Sequence, residues 1–484
     1  MKFVVRLQAE ITIKSKSVRK RYGKLLVNNL KLILTPLHPS MRVRWMWDRI
    51  DIWADDVAGL AQQVAAKLTD IPGISSFSEL IEVPLSSFEE ALELTLSHYA
   101  ERVEGKTFAV RVRRNGHHPF SSKDLERYIG GGINQRVAGT RVKLTQPELE
   151  IRLEVQDDKL RLLSDKQVGM GGFPIPSQDT VLSLLSGGYD SSVSTYQMIR
   201  RGARTHFCFF NLGGDQHEIA VQQTAHYLWQ RYSSSHPLKF VSIDFAPVVE
   251  EILTKVDNGL MGVVLKRQMM RAASLTGRLL KAKALVTGEA LGQVSSQTLA
   301  NLQVIDHASD TLVLRPLIVS DKQDIVDMAK QIGTEPLAKA IPEYCGVISN
   351  KPTVAARLDQ IEAAEAELDN QLIARVVGAA NILSMQDIAA QTEAKVGQVD
   401  YRRVQDSNTV IIDVRSPDEQ ERAPLTLAEA EVTHIPFYRL ATQFSELDPQ
   451  KQYLLYCDKG VMSRLQALYL QEQGFSNVAV YQPA

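Results

Sequence analysis

The sequence predicts a multidomain chain in which α+β units come first and α/β units follow. Three observations carry that expectation. The chain has 484 residues, and at roughly 100–200 residues per domain it holds about three or four domains. From residue 180 to 287, and again after 409, short apolar strands alternate with helix-period stretches, the pattern of a parallel, doubly wound sheet. Charge is also segregated behind a net of −1: residues 1–50 hold 12 Lys and Arg against Glu10 and Asp48 alone. Residues 51–100 hold nine acids against Lys67, residues 101–150 ten bases against six acids, and residues 405–484 six bases against eleven acids. Basic stretches in a near-neutral chain point to a polyanion bound by one part of it.

Composition narrows the class further. Hydrophobic residues at 44% and charged residues at 23% are those of an ordinary globular protein. With 28 Gly, 19 Pro and 3 Cys, collagen-like and disulfide-scaffold chains are excluded. No run approaches the ~18 apolar residues that span a bilayer. Met1-Lys2-Phe3-Val4-Val5-Arg6 does not read as a secretory leader. The expectation is a cytoplasmic chain with reduced thiols and no membrane partner.

In order along the chain, Phe3–Leu7 reads as a strand, and Leu25, Leu26, Leu30 and Leu34 give Arg19–Leu34 a helical period. Pro36 and Pro39 break the chain before Arg42–Trp53, which alternates as a pair of strands around Asp48. A second unit is expected from about residue 61: helix Leu60–Leu68, a strand near Ile74–Val83, and a helix from Ser87 to Tyr99. In Phe108–Arg114 the alternation sets Arg111 and Arg113 on one face of a strand. Asn115 and Gly116 end it, and Ser121-Ser122-Lys123-Asp124 can cap the next helix. Gly169–Ser177 reads as a linker by composition. The strands Thr180–Leu185, Thr205–Asn211, Lys239–Ile243 and Ala284–Thr287 follow, then a helical bridge over 353–396. Val410–Val414, Tyr453–Tyr456 and a helix over Ser463–Gln473, stopped by Gly474, form the last unit.

Leu184-Leu185-Ser186-Gly187-Gly188-Tyr189-Asp190-Ser191-Ser192 runs from an apolar strand through a small-residue turn into a helix. Glycines that allow close backbone approach, free N–H groups at a helix start and three serine hydroxyls make an anion cradle. The lysine of a Walker A loop is absent, and so is Gly-x-Gly-x-x-Gly. Asp190 inside such a cradle repels phosphate unless Mg²⁺ or an orienting hydrogen bond offsets it.

Cys457 follows the strand Tyr453–Tyr456 and opens a loop that leads into a helix, where backbone N–H groups and the helix dipole favour a thiolate. A phosphatase loop of the Cys-x₅-Arg type fits poorly, since Arg464 lies seven residues after Cys457. Cys345 stands in the turn Pro342-Glu343-Tyr344-Cys345-Gly346, and Cys208 in an apolar strand reads as buried filler.

The Ser186–Ser191 run resembles the PP-loop of ATP pyrophosphatases, which adenylate a carbonyl oxygen so that a nucleophile displaces AMP. Gly288–Thr298 is similar to the nucleotide-site segment of tRNA-thiolating members, and Arg315-Pro316-Leu317 with Lys322 fits the same superfamily. Cys457-Asp458-Lys459-Gly460-Val461-Met462-Ser463 resembles the active loop of rhodanese domains, with Ile411–Glu419 and His434-Ile435-Pro436 as upstream segments. It departs in having Met462 where many rhodaneses carry Arg, which bears on thiosulfate as a donor more than on persulfide chemistry. Phe108–Ser122 resembles the THUMP signature of RNA-binding domains.

Their order resembles the long form of the ThiI family of tRNA 4-thiouridine synthetases (tRNA uracil 4-sulfurtransferases) across essentially the whole chain. The resemblance implies a ferredoxin-like unit over 1–60, a THUMP domain over 61–168, a PP-loop adenylation domain over 177–396 and a rhodanese domain over 405–484. It implies ATP with Mg²⁺ at Leu184, Leu185, Ser186, Gly187, Gly188, Ser191 and Ser192, with Asp190 catalytic and Lys266, Gly288, Gln297 and Lys322 completing the site. Uridine 8 of tRNA would be adenylated at O4. Cys457 would accept persulfide sulfur from a cysteine desulfurase, and Cys345 would close a redox-active Cys345–Cys457 disulfide, with no protein-only metal site. Whether Cys345 attacks the persulfide or sulfur reaches C4 directly stays open. A sulfur-carrier protein of thiamine thiazole synthesis is a second implied partner, and a homodimer is left open. Lys14, Lys16, Arg19, Lys20, Arg21, Lys24, Arg111, Arg113, Arg114, Lys123 and Arg127 would meet tRNA phosphates. The rivals are a PP-loop amidotransferase or adenylating ligase, against which the two cysteines argue, and a non-enzymatic RNA-binding sulfur relay, against which the unbroken loop argues.

Overall fold

The structure is a computed structural model. It describes residues 1–46, 49–164, 166–212, 215–339, 341, 351–388, 401–402, 408–415, 420, 424–425, 431–435, 440, 443–457, 463, 466–467, 470–471 and 473–481. The chain divides into two compact units, Met1–Ser177 with Arg200–Gly202, and Gln178–Ile199 with Ala203–Ala484. Among the described residues no helix is long and apolar enough to cross a membrane.

The first unit is built on one sheet. Its strands run in the order Arg42–Trp45, Ile50–Trp53, Lys2–Leu7, Ile74–Pro84, Lys159–Leu163, Leu149–Gln156, Thr107–Asn115 and Arg141–Val142, with Gln167–Val168 also paired to Ile74–Pro84. Two cores sit on it. The helix Lys16–Leu34 buries Leu26, Leu30 and Leu34, at the spacing that its sequence period requires, against Phe3, Val5, Ile50 and Ile52. Farther along, Leu92 and Tyr99 join Leu125, Ile129 and Ile133 over Phe108, Val110, Ile151 and Leu162. The helix Ser122–Arg136, which packs there with the helix Phe88–Val103, starts with the expected cap: the Ser121 hydroxyl accepts from Asp124 N–H, and the Asp124 carboxylate closes a capping box.

Two expectations change here. The second unit was expected to begin near residue 61, yet Leu60, Val64 and Leu68 of the helix Leu60–Thr69 lie in the first core with Ile74 and Phe77. The long strand Ile74–Pro84 then serves both halves of the sheet, pairing with Lys2–Leu7 and with Lys159–Leu163. The segment 169–177 is not a solvated linker. Phe173 is in the first core, the buried Asn29 amide donates to Ile175 O at 2.7 Å, and Gly73 and Gly171 exchange backbone bonds with their neighbours. Glycine is needed there for closeness: a Cβ on Gly169 would lie 2.5 Å from Ile74 O, and one on Gly172 1.8 Å from Arg200 O.

In the second unit six strands lie in the order Leu312–Leu314, Ala284–Val286, Thr180–Leu184, Arg204–Asn211, Lys239–Asp244 and Asn381–Ser384. The first five are parallel. Thr180–Leu184 comes first in the chain, so the order reverses between it and Ala284–Val286, the switch point of a doubly wound sheet. The sixth strand corrects the helical bridge expected over 353–396. Leu358–Glu365 and Leu372–Gly378 are helices, but Asn381–Ser384 pairs antiparallel with Lys239–Asp244. Four residues are too short to show a period, and an open sheet edge claims them; 389–396 lie outside the described residues. A second, wholly parallel sheet runs Tyr401–Arg402, Val478–Tyr481, Gln452–Tyr456, Thr409–Asp413 and Glu431–His434. It buries Val410, Ile412, Leu455 and Val480 among Leu440, Ala467 and Leu470.

Candidate functional site

At the switch point the strand Thr180–Leu184 hands over to the helix Tyr189–Arg200. Gly187 makes the turn with φ +81°, a region that favours glycine. The serines brace the loop from inside. Ser186 N–H and Oγ–H donate to Ser191 Oγ at 3.2 and 3.1 Å, and the Ser191 and Ser192 hydroxyls donate to Gly188 O at 3.2 and 2.8 Å. One turn on, Thr195 Oγ–H donates to Ser191 O at 2.6 Å, and its oxygen lies 2.7 Å from Ser183 Oγ on the strand. The hydroxyls therefore hold the loop's shape, and Leu184 and Leu185 anchor it: Leu185 N–H donates to Cys208 O at 2.9 Å.

The neighbouring strand end closes on this loop. A Cβ on Gly288 would lie 2.5 Å from Asp190 C and 2.7 Å from Ser191 N, so only glycine fits. Next to it Glu289 is buried, accepting from Thr287 Oγ–H at 3.0 Å and Arg315 Nε–H at 2.8 Å. Burial works against the Arg315 charge, but Asp306 and Glu289 overcome it and raise its pKa. Gln297 is buried, and its Oε1 accepts from Ala290 N–H at 3.3 Å.

Asp190 meets two donors, Lys322 Nζ at 2.7 Å and Gln293 Nε2 at 2.8 Å. Lys322 is the first residue of the helix Lys322–Ile332, and its ammonium lies 5.8 Å from the centre of the Tyr189 ring. The structure thus brings together Leu184, Leu185, Ser186, Gly187, Gly188, Asp190, Ser191, Ser192, Gly288 and Lys322, with Gln297 in the strand-end segment. Lys266 is half-buried on the helix Met261–Leu279, and its ammonium makes no ion pair among the described residues. Cys345 lies outside the described residues.

The second sheet presents a thiol at its carboxyl edge. Cys457 follows the strand Gln452–Tyr456; Ser463 N–H donates to its Sγ at 3.3 Å, and its thiol reaches Ser463 Oγ at 3.4 Å. Ser463 is buried and helical, so the sulfur receives the backbone N–H of a helical residue. Asp413 ends the adjacent strand opposite Tyr456 and His434. It is 0% exposed and held by Arg415 through Nε at 2.9 Å and the terminal nitrogen at 2.7 Å. Arg415 lies 5.1 Å from the Tyr456 ring centre, on the residue before Cys457. Residues 458–462 and Arg464 lie outside the described residues. Cys208 is fully buried, and burial pushes its thiol pKa far up, as inert filler requires.

The basic candidates differ among themselves. Lys14, Lys16, Lys20, Arg21 and Lys24 are exposed and Arg19 half-buried along the Lys16–Leu34 helix and its approach. Lys14 also lies 5.7 Å from the Phe173 ring centre. Arg113, Lys123 and Arg127 are exposed. Arg111 is engaged, donating to Glu150 at 3.2 Å and to Leu144 O at 2.5 Å, and Arg114 donates to His118 O at 3.3 Å.

Sequence reasoning missed four groups. Gln293 stood in a quoted motif without a role, and Asp413 and Arg415 likewise. His217, whose Nε2 lies 3.4 Å from Ser186 O, and the buried Asn301 had no local signal at all.

A phosphate-type loop at the switch point of one parallel sheet, with a thiol at the carboxyl edge of a second, defines a nucleotide-using α/β enzyme with a sulfur-handling domain. The chain matches the ThiI ferredoxin-like domain over residues 2–78, the THUMP domain over 86–165, the thiamine biosynthesis protein (ThiI) family over 176–370 and the rhodanese-like domain over 399–482. It is 51% identical over 484 residues to a tRNA sulfurtransferase of Shewanella halifaxensis and 53% identical over 485 residues to one of Escherichia fergusonii, covering 100% of both chains in each case. A crystal structure of a 4-thiouridine synthetase–RNA complex with bound ATP is similar with a TM-score of 0.69 and 25% identity, over 79% of this chain and 99% of that one. The chain belongs to the tRNA sulfurtransferase family, and it is a sulfurtransferase enzyme.

Proposed function

We propose that this chain makes 4-thiouridine at position 8 of tRNA, adenylating O4 of the uracil with ATP and replacing it with sulfur delivered by Cys457. The observation that carries this reading is the union, in one chain, of a phosphate-type loop closed by Gly288 and a thiol that receives the Ser463 N–H.

The loop from Leu184 to Ser192 would hold the ATP phosphates on backbone N–H groups, with Lys266, Gly288 and Gln297 completing the nucleotide site. Mg²⁺ bound with ATP would neutralise phosphate charge. Asp190 is the carboxylate of this loop that would hold the ion, and the charge it would supply offsets the repulsion between that carboxylate and phosphate. Lys322, already on Asp190 at 2.7 Å, is set to pass between that carboxylate and a phosphate oxygen. Attack of uracil O4 on the α-phosphate expels pyrophosphate and turns a poor leaving group into AMP.

Cys457 takes a sulfane sulfur from a cysteine desulfurase and holds it as Cys–S–SH. The terminal sulfur bonds to C4 as AMP leaves. The Cys345 thiolate then attacks Cys457 Sγ, breaking the S–S bond; the sulfur stays on tRNA, and two thiols have become a disulfide that an external dithiol reopens. In the alternative order Cys345 attacks first and the released sulfide attacks C4. The Ser463 N–H supports the Cys457 thiolate that takes the sulfane sulfur from the donor at the start of either order. Lys14, Lys16, Arg19, Lys20, Arg21, Lys24, Arg113, Lys123 and Arg127 place the tRNA through phosphate contacts, with shape doing the selecting. The same persulfide can serve a sulfur-carrier protein of thiazole synthesis. The setting is the cytoplasm, which supplies ATP, tRNA and reductant.

The test incubates bulk tRNA with ATP, Mg²⁺, cysteine, a desulfurase and either wild type or Cys457→Ala. Thiouridine from wild type alone supports the reading. Equal amounts from both make the second sheet accessory, and AMP without thiouridine from wild type removes the sulfur chemistry.

A further inference from the structure

Asn301 has no place in the chemistry above, yet it is 0% exposed and every polar atom of its side chain is used. It lies on the helix Leu299–Asp306, which opens directly after the Gly288–Thr298 segment. Its Nδ2 donates one proton to Ser295 O at 2.7 Å and the other to Thr353 O at 2.8 Å, while Oδ1 accepts from Ala356 N–H at 2.8 Å. Thr298 works beside it: the hydroxyl accepts from Asn301 N–H at 3.3 Å and donates to Val354 O at 2.7 Å. Thr353 N–H adds a bond to Gly259 O at 2.9 Å.

Two carbonyls and one N–H converge, so the position needs two donors and one acceptor on a single short planar group. Asparagine supplies that set; aspartate would set a carboxylate against two carbonyl oxygens. What these bonds join is specific. On one side is the segment that holds Gly288 against the phosphate loop. On the other is 353–356, which starts eight residues after Cys345 in the sequence. The flank before Cys345 also reaches the loop: Ile341 Cδ1 lies 2.2 Å from where a Cβ on Gly187 would stand. Cys345 follows four positions after Ile341 in the sequence and itself lies outside the described residues.

We propose that Asn301 is a positioning residue that ties the stretch following Cys345 to the nucleotide segment, so that sulfur transfer is kept in step with adenylation. This rests on the Cys345 relay proposed above. Removing the amide should leave the phosphate loop braced by its own serines while freeing the 353–356 anchor. Adenylation and sulfur transfer should then separate.

The experiment is a single turnover of the full-length protein, loaded with persulfide, with ATP, Mg²⁺ and tRNA. Pyrophosphate, the product of adenylation, is followed together with 4-thiouridine and the Cys345–Cys457 disulfide for wild type, Asn301→Ala and Thr298→Val. The expected result is pyrophosphate formation within about threefold of wild type and disulfide and thiouridine formation slower by about tenfold or more, since misplacement of a reacting group by about 1 Å costs on that scale. Thr298→Val should show the same split at smaller size, and it carries the test alone if Asn301→Ala does not fold. An equal fall in all three products, which general destabilisation would give, overturns the proposal, as does no fall in any. Thiouridine without a disulfide in wild type would strike down the Cys345 relay itself, and the role of Asn301 with it.

Discussion

Gly288→Ala tests whether the strand end and the phosphate loop work as one surface. The new methyl would sit 2.5 Å from Asp190 C, 2.7 Å from Ser191 N and 2.8 Å from Asp190 O. Carbon contacts settle at about 3.5 Å, so loop and strand end must part by about 1 Å. All three atoms are backbone, and neither side can swing away as a long side chain would. The methyl also covers the Ser191 N–H, one of the donors assigned to phosphate. Losing one hydrogen bond to a charged group costs about 1.5–3 kcal/mol, which at about 1.4 kcal/mol per tenfold predicts a fall of roughly 10- to 150-fold in kcat/KM for ATP. The assay is tRNA-dependent AMP release across an ATP series. Gly292→Ala is the control: Gly292 has φ +75° but nothing within 4 Å of its Cβ position, so it loses about 1–2 kcal/mol of local backbone preference without touching the loop. A Gly288→Ala protein that keeps kcat/KM within about twofold of wild type, with an unchanged melting temperature, would refute the reasoning.

The remaining predictions concern other parts of the chain. Arg113→Ala should weaken tRNA binding and lower the salt slope by about 1. Arg111→Ala, which breaks the bonds to Glu150 and Leu144 O, should lower stability instead; filter binding across a salt series and a melting curve separate the two. Ser463→Ala should slow alkylation of Cys457 near neutral pH by a few-fold while the backbone N–H bond persists, read by mass-resolved iodoacetamide labelling. His206 is buried, and that burial, with Arg204 and Lys239 nearby, pushes its pKa down to about 4. The unfolded imidazole takes a proton near 6.5 and the folded one does not, so its contribution is whole above pH 6.5 and is lost as pH falls towards 4, about 2 kcal/mol by pH 5. An imidazole titration by NMR with a midpoint near 6.5 would refute the burial argument.

Sequence legibility followed the range of the interaction. The loop Ser186–Ser192 was readable because phosphate binding needs small residues in consecutive positions at a strand–helix junction. The strands flanking it were readable because both faces of a central parallel strand are buried, as in Arg204–Asn211. Asn381–Ser384 was not, since only its pairing with Lys239–Asp244 makes it a strand. Lys322 and Asp190 could each be named, but their ion pair spans 132 positions and no local pattern states it. Asp413 and Arg415 sat inside a recognised segment, yet their burial beneath Tyr456 belongs to the fold. Asn301 lay wholly beyond reach: its partners are backbone atoms, which leave no mark on the sequence at all.

The buried course of residues 169–177 decides how this molecule can be dissected. A fragment ending at Val168 would keep every strand of the first sheet but would leave the socket of Phe173 open and the Asn29 amide without Ile175 O. Such a piece would be sticky and prone to precipitate, and its failure would be misread as a lack of autonomy in the unit. Carried on to Ser177, the same piece brings its own plug. The stretch whose composition most invites a cut is the one that closes the surface beneath it.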